Sequence, residues 1–202
     1  MAFVLLPLGR SFIVWRVTMF LPSVPALLEP IQLAQSAGGC ERAIHILQAA
    51  LEYKSDDSVV LSVDFSNAFN TLRRDVMLSR TFLEQQLSPL WRLAHWAYRS
   101  PTDLLLVQNG ELVASLVSAE GLRQGDPLSS LLFCFSVLPE YLSTVESAPG
   151  VRAVAIVDDL ELVGPHASVL AAFDHLSSVS PKSGLVLGRP KCHLFWPRAS
   201  PV

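Results

Sequence analysis

The sequence has too few cysteines for a cross-linked or zinc-held fold. Its three cysteines, Cys40, Cys134 and Cys192, are odd in number, far apart and never arranged as a C-x-x-C pair. Disulfide frameworks and structural zinc sites depend on such regular spacing. A reducing, intracellular compartment fits this usage. Cys192 is followed by His193, but neighbours on a strand point to opposite faces, so we interpret this pair as packing and not as a metal site.

The chain also lacks an excess of basic residues. It carries 15 Lys and Arg against 18 Asp and Glu, a formal net charge of -3 at pH 7. Binding to a phosphate backbone through counterion release needs a broad basic surface, which this balance excludes. Any contact with nucleic acid must therefore be local.

No apolar run is long enough to cross a bilayer, which takes about 20 residues. Residues 1–28 contain Arg10, Arg16 and no acidic residue, but a secretory signal would carry its charge before the apolar stretch. A mitochondrial presequence would hold more serine and would not be broken by Pro7. We therefore expect no membrane partner. We treat residues 1–29 as an unassigned apolar leader or a truncated fingers remnant.

Half of the residues are apolar, enough for one sizeable core. Pro22, Pro25 and Pro30 predict an irregular connector. Helical spacing predicts a helix from Gly39 to about residues 54–57. The next predictions are a buried strand over Val59–Val63 that ends at Asp64, a helix after it, and a helix capped by Ser88 with Pro89 in its first turn, whose Trp91 and Trp96 would be core.

The second half predicts more strands. Asn109-Gly110 between two apolar runs is a strong hairpin signal. G-L-R-Q-G-D-P opens a run from Leu128 to Leu138 that is apolar on every face, which predicts a buried helix whose N-terminus is suited to phosphate or base contacts. We also predict a helix over Ala167–Leu176 and a final strand region carrying Lys191.

An acid pair interrupts the most β-prone stretch. In V-A-I-V-D-D-L-E-L-V, Asp158 and Asp159 lie between two apolar runs that predict a buried hairpin. Unpaired buried carboxylates cost several kcal/mol, so a cation is expected nearby, and oxygen-only ligands suit Mg²⁺ or Mn²⁺. Taken alone, the pair is better explained as an ordinary turn, and only the rest of the chain favours the metal site.

Three segments in order resemble motifs A, B and C of reverse transcriptases of non-LTR, LINE-like retrotransposons. They read V-D-F-S-N-A-F-N, G-L-R-Q-G-D-P-L-S-S-L-L-F and A-I-V-D-D-L-E-L-V-G, and G-L-V-L-G-R-P-K resembles motif D. P-I-Q-L-A-Q-S-A-G-G-C-E-R-A-I-H resembles the fingers segment before motif A. The resemblance covers residues 30–197 or so.

The resemblance implies an α+β right-hand polymerase palm, an antiparallel sheet backed by helices. Residues 30–202 would form this palm with part of the fingers and no thumb. The implied reaction is RNA-directed DNA synthesis, with an RNA template, a DNA primer, dNTPs and two Mg²⁺ or Mn²⁺ ions. The missing fingers and thumb would lie elsewhere in a longer polyprotein, nuclear if the element is active.

Residue roles follow from position in the motifs. Asp64, Asp158 and Asp159 would be catalytic metal ligands, with the Phe65 carbonyl completing one ion. Phe69 would gate against a ribose 2′-hydroxyl, or else be a core aromatic. The nucleotide and template contacts would come from Arg123, Gln124 and Gly125. Lys191 would protonate the departing pyrophosphate, or else be a solvated surface lysine.

The chain departs from the family pattern at three positions. Ile156 stands where an aromatic residue is usual, Asn70 where Asp is common, and Gly188 where Asn is common. Because the segments that clamp triphosphate and primer-template are expected to be missing, we predict a weak or inactive polymerase as an isolated chain. The alternative is a non-catalytic retroelement relic that keeps the fold. A two-metal nuclease or an unrelated acidic hairpin would not explain G-L-R-Q-G-D-P-L-S.

Overall fold

The computed structural model describes residues 24–52 and 57–196. Residues 1–23, most of the predicted leader, lie outside that range. The described helices and strands follow in chain order: α1 Val24–Leu28, α2 Gly39–Glu52, β1 Ser58–Val63, α3 Ala68–Thr71, α4 Arg74–Leu83, α5 Ser88–Tyr98, β2 Thr102–Gln108, β3 Glu111–Ser118, α6 Ser129–Ser147, β4 Arg152–Ile156, β5 Asp159–Pro165, α7 His166–Val179 and β6 His193–Phe195.

The central element is a four-stranded antiparallel sheet in the order β4-β5-β1-β6. Branched apolar residues in β1 and β5 pack with α6 and α7 in the main core. Val154 and Ile156 of β4 point to the other face, where they meet Ala43 of α2 in a second, smaller cluster. The sheet is thus covered by helices because alternate side chains of β4 are apolar on both faces.

The predicted buried helix is α6. Its run from Leu131 to Leu138 is largely buried, which confirms that a helix apolar on every face lies inside. Partly buried Arg80 of α4 donates two hydrogen bonds of 2.7 Å to the carboxylate of the buried residue Glu140 in α6. This bidentate ion pair joins the two helices. No helix in residues 24–52 or 57–196 is long and apolar enough to cross a membrane.

The Asn109-Gly110 hairpin is confirmed as β2 and β3. Asn109 and Gly110 both have positive φ, 54° and 85°, as the two-residue turn requires. The apolar side chains of this hairpin are mostly exposed. The chain then returns to the body of the molecule at Gly121.

Several local predictions are wrong. The proline-rich connector contains the short helix α1, because Pro25 falls in its first turn, where a missing N–H costs nothing. Ser88 is the first helical residue and not a cap, since a 3-10 turn over Gln85–Leu87 leads into α5. Lys191 lies in a 3-10 turn, Arg189–Lys191, where Pro190 prevents a strand ladder, and only His193–Phe195 is a strand.

The two tryptophans of α5 are not both core. The buried stripe of this helix is Leu90, Ala94, Ala97 and Tyr98. Trp96 is 69% exposed because six residues turn a helix by about 240° from Leu90, to the opposite face. Trp91 is half-buried and packs edge-on against Phe82, with ring centroids 5.0 Å apart.

Candidate functional site

The strand register places all three predicted acids at one end of the sheet. Val63 of β1 pairs with Leu160 of β5, so Asp64 follows the last paired residue of one strand just where Asp159 begins the other. Asp158 lies in the turn between β4 and β5, where Ile156 pairs with Asp159. Two distant segments of the chain therefore bring carboxylates to the same edge.

Burial and two acidic neighbours both affect the ionisation of Asp158. Burial raises the pKa of this half-buried carboxyl above its ordinary value, and the negative charges of Asp159 and Asp64 raise the pKa further. Crowded carboxylates of this kind favour a bound cation. The donor set, oxygen atoms only, suits Mg²⁺ or Mn²⁺. Nevertheless, no three His, Cys, Asp or Glu side chains within the described residues are arranged closely enough to hold a metal ion.

The carboxylate of Asp64 is turned toward the loop before β6. Its Oδ2 is buried without a hydrogen-bond partner, and the nearest cation, Lys191 Nζ, lies 3.9 Å away. A Cβ added to Gly188 would come within 2.4 Å of this oxygen. Gly188, which stands where the family commonly has Asn, therefore makes room for the Asp64 side chain. Lys191 also lies at the site, although its side chain is 73% exposed.

Cys192 also belongs to this corner. The backbone N–H of Asp64 donates to Cys192 Sγ at 3.4 Å, and the thiol lies near the carbonyl oxygens of Asp64 and Gly188. His193, the next residue, is exposed. This arrangement agrees with packing and not with a Cys-His metal site.

The two phenylalanines after β1 both contact α6. Phe65 is buried, 6.3 Å from the ring of Tyr141. Phe69 is half-buried and stacks on Phe133, with centroids 4.7 Å apart and an interplanar angle of 12°. Phe69 is thus a packing residue with one side left accessible, and the gate role stays a prediction.

The structure separates the members of the R-Q-G segment. The guanidinium of Arg123 is held by the protein itself. It donates to the Ala97 carbonyl at 2.5 Å and to Thr102 Oγ1 at 2.8 Å, and it lies 4.9 Å from the centre of the Tyr98 ring. Gln124 and Gly125 are exposed instead. Within this segment, those two residues are the ones open to an incoming ligand.

The aspartate of R-Q-G-D-P holds the turn that leads into the buried helix. Asp126 is buried, and its Oδ1 accepts the N–H of Leu128 at 2.9 Å. Its other oxygen accepts the hydroxyl of Tyr98 at 2.6 Å, and its backbone carbonyl accepts the N–H of Ser129 at 3.0 Å. The acid therefore orders the turn immediately before α6.

Sequence reasoning missed Arg74, the residue that holds the stretch just before the R-Q-G segment in place. Arg74 at the start of α4 is buried and donates to the carbonyls of Gly121, Ser118 and Glu120, at 2.7, 3.0 and 3.1 Å, and to the Ser118 hydroxyl. Burial lowers the pKa of its guanidinium below the ordinary value. An arginine in a helix's first turn reads as a solvated residue, so periodicity gives no signal for it.

A backbone contact joins the segment after β1 to the R-Q-G segment. The N–H of Leu122 donates to the Phe69 carbonyl at 2.7 Å. Gly121 has a φ of +65°, and a Cβ there would lie 2.4 Å from the carbonyl oxygen of Asn70. Only glycine permits this approach.

Comparison with known proteins gives one related sequence and a shared fold. The chain is 27% identical over 124 residues to the retrotransposable element SLACS 132 kDa protein of Trypanosoma brucei gambiense, a match that covers 60% of this chain and 10% of that protein. No family model matches the chain.

Solved telomerase structures share the fold. Apo telomerase of Candida tropicalis, truncated from its C-terminal domain, superposes with a TM-score of 0.65 at 12% identity, covering 92% of this chain and 40% of that one. Candida albicans telomerase in complex with a TWJ fragment of telomeric RNA gives a TM-score of 0.65 at 12% identity, covering 95% and 35%. The chain thus spans about a tenth of the curated relative and well under half of each telomerase.

These findings confirm the resemblance to a reverse-transcriptase domain of a retroelement, and they confirm the α+β class. The antiparallel sheet backed by helices agrees with a partial polymerase palm.

Proposed function

We propose that this chain is the palm of an RNA-directed DNA polymerase of a non-LTR retroelement. One observation carries the proposal: β1 and the β4-β5 turn bring Asp64, Asp158 and Asp159 to the same end of the sheet. The TWJ RNA in the Candida telomerase complex supports an RNA template for a protein of this fold. A DNA primer and dNTPs complete the proposed set.

The proposed reaction joins a primer 3′-hydroxyl to the α-phosphorus of a dNTP and releases pyrophosphate. Two bound Mg²⁺ or Mn²⁺ ions would stabilise the negative charge on the attacking and leaving oxygens. Asp64, Asp158, Asp159 and the Phe65 carbonyl would hold them. Lys191 would donate a proton to the pyrophosphate from its place beside Asp64.

The accessible residues of the R-Q-G segment would contact the substrate. Gln124 and Gly125 are exposed in the turn before α6, where the backbone can approach a base or a phosphate. Arg123 would not touch the substrate but would hold the segment in place, because its guanidinium already hydrogen-bonds to α5 and β2. Phe69 would limit the space beside the sugar.

A non-catalytic relic is the second candidate, and two observations favour it. Within the described residues, the acidic side chains are not close enough together to hold a metal ion. The Asp64 carboxylate instead lies beside the ammonium group of Lys191. Because positioning both reactants supplies about 7 to 11 kcal/mol of barrier reduction, we expect at most short additions to a primer.

Primer extension on an RNA template, in Mg²⁺ or Mn²⁺, separates the two candidates. Short products should vanish in Asp158→Ala and persist in Asp174→Ala, a matched change of an exposed acid in α7. Products that survive Asp158→Ala would contradict the assignment of chemistry. No product together with no Mn²⁺ binding would identify a relic, and long products at physiological salt would contradict the expected weakness.

Sugar selection tests Phe69. Phe69→Ala should raise the use of ribonucleotides relative to deoxyribonucleotides, because a smaller side chain leaves space for the 2′-hydroxyl. Phe82→Ala, at an exposed aromatic in α4, is the control. Unchanged discrimination in Phe69→Ala would reduce this residue to packing against Phe133.

A further inference from the structure

The segment before α2 runs along the open edge of the site hairpin. The N–H of Ala155 in β4 donates to the Ile31 carbonyl at 2.8 Å, and the N–H of Leu33 donates back to the Ala155 carbonyl at 2.9 Å. Gln32 lies between these two bonds as a parallel bridge partner of Ala155. Its relative exposure is 0%. A fully buried glutamine needs partners for its amide.

Those partners are both backbone groups of one residue. Gln32 Nε2 donates to the Val157 carbonyl at 2.5 Å, and the Val157 N–H donates to Gln32 Oε1 at 3.1 Å. The side-chain amide thus takes the place of a neighbouring strand just beyond the last residue of β4. An apolar residue would fill the same space in the core. Packing alone therefore does not explain why this position carries a side-chain amide.

Val157 needs this support because its backbone is in the left-handed region, with a φ of +60°. β-Branched residues rarely adopt that conformation. The peptide group that Gln32 holds directly precedes Asp158, and its orientation sets the direction in which the Asp158 side chain leaves the turn.

We propose that Gln32 is a positioning residue, which fixes the Val157 peptide so that Asp158 faces Asp64 and Asp159. The proposal rests on the proposed function, since its consequence is a carboxylate arrangement able to take a divalent ion. Gln32 itself touches neither substrate nor ion. It acts from the segment before α2, about 125 residues away along the chain.

The test uses the full chain with Gln32→Met, which keeps side-chain length and removes both hydrogen bonds. Gln48→Met, at an exposed glutamine of α2, is the matched control. In metal-free protein, amide exchange at Val157 should become at least tenfold faster in Gln32→Met and stay unchanged in Gln48→Met. Mn²⁺ affinity, measured by calorimetry well below the unfolding temperature, should fall about 10- to 100-fold, the usual range for partners that orient a metal ligand.

A third measurement separates positioning from simple loss of structure. In single-nucleotide addition, kcat should fall in Gln32→Met while KM for the dNTP stays the same. If Gln32→Met does not fold, Gln32→Asn retains the amide but is one methylene too short to reach both backbone groups, and it should show the same losses.

The possible results distinguish failure of the positioning role from failure of the proposed function. Normal Mn²⁺ affinity and normal Val157 exchange in a folded Gln32 variant, beside an unmodified chain that binds Mn²⁺ through Asp158, would overturn the positioning role and leave the proposed function standing. An unmodified chain that binds no Mn²⁺ would overturn both.

Discussion

Replacing Gly121 by Ala tests whether the close approach between the segment after β1 and the R-Q-G segment is required. The new Cβ would lie 2.4 Å from the Asn70 carbonyl oxygen. That neighbour is backbone, so it cannot rotate away as a flexible side chain would. The Leu122 hydrogen bond to Phe69, one residue along, would be displaced with it.

Two costs add at Gly121 and only one applies at a matched control. Gly110 in the β2-β3 turn also has a positive φ, +85°, but nothing lies within 4 Å of its added Cβ. Gly110→Ala should therefore cost only the left-handed backbone penalty, about 1–2 kcal/mol. Gly121→Ala should cost that amount plus about 1–3 kcal/mol for overpacking.

Urea unfolding of the two variants measures the difference directly, because the same substitution is made at both sites. The free energy of unfolding should be lower in Gly121→Ala than in Gly110→Ala by about 1–3 kcal/mol. Primer extension should also suffer in Gly121→Ala. Equal stability of the two variants would refute the reasoning, since it would mean that the two segments are free to move apart.

Two further predictions concern charge. Glu140→Gln should lower the free energy of unfolding by about 3 kcal/mol, because it removes the buried carboxylate that balances the charge of partly buried Arg80. Asp75→Asn, in an exposed ion pair, should cost under about 1 kcal/mol, and equal losses in the two variants would show that burial does not matter here. The hydrogen bond from Arg42 lowers the pKa of Glu29 from 4.5 to about 2, so its stabilisation is complete above about pH 4.5 and is lost as the pH falls through about 2. In Arg42→Met the NMR titration midpoint of Glu29 should rise toward 4.5, and an unmoved midpoint would contradict the assignment.

The elements that the sequence predicts well are those whose signal is local. The apolar runs of β4 and β5, the all-apolar run of α6 and the Asn109-Gly110 turn each depend on a few neighbouring residues. The positions of Asp64 at the end of β1 and of Asp158 in the β4-β5 turn follow from the same patterns. The grouping of Asp64 with the Asp158-Asp159 pair is not in these local patterns; the resemblance to reverse-transcriptase motifs implies it.

The missed features depend on contacts between distant segments. Gln32 and Arg74 are polar residues that composition assigns to the surface, and both are buried because backbone groups far along the chain accept or donate to them. Trp96 is the opposite case, an aromatic residue that helical phase turns toward solvent. Arg123 has the residue type expected of a nucleotide contact, but its guanidinium donates to the Ala97 carbonyl and the Thr102 hydroxyl, both more than 20 residues earlier in the chain.

The strand order also determines when this site can form during folding. β1 carries Asp64, yet its partner β5 lies about 100 residues further along the chain, and its other partner β6 lies beyond that. Closing such long loops costs entropy before any pairing energy returns, and non-local pairing slows folding. On a ribosome, the Asp64 strand therefore waits unpaired until β5 has emerged, and a chain interrupted before the Asp158 hairpin holds a strand with neither neighbour.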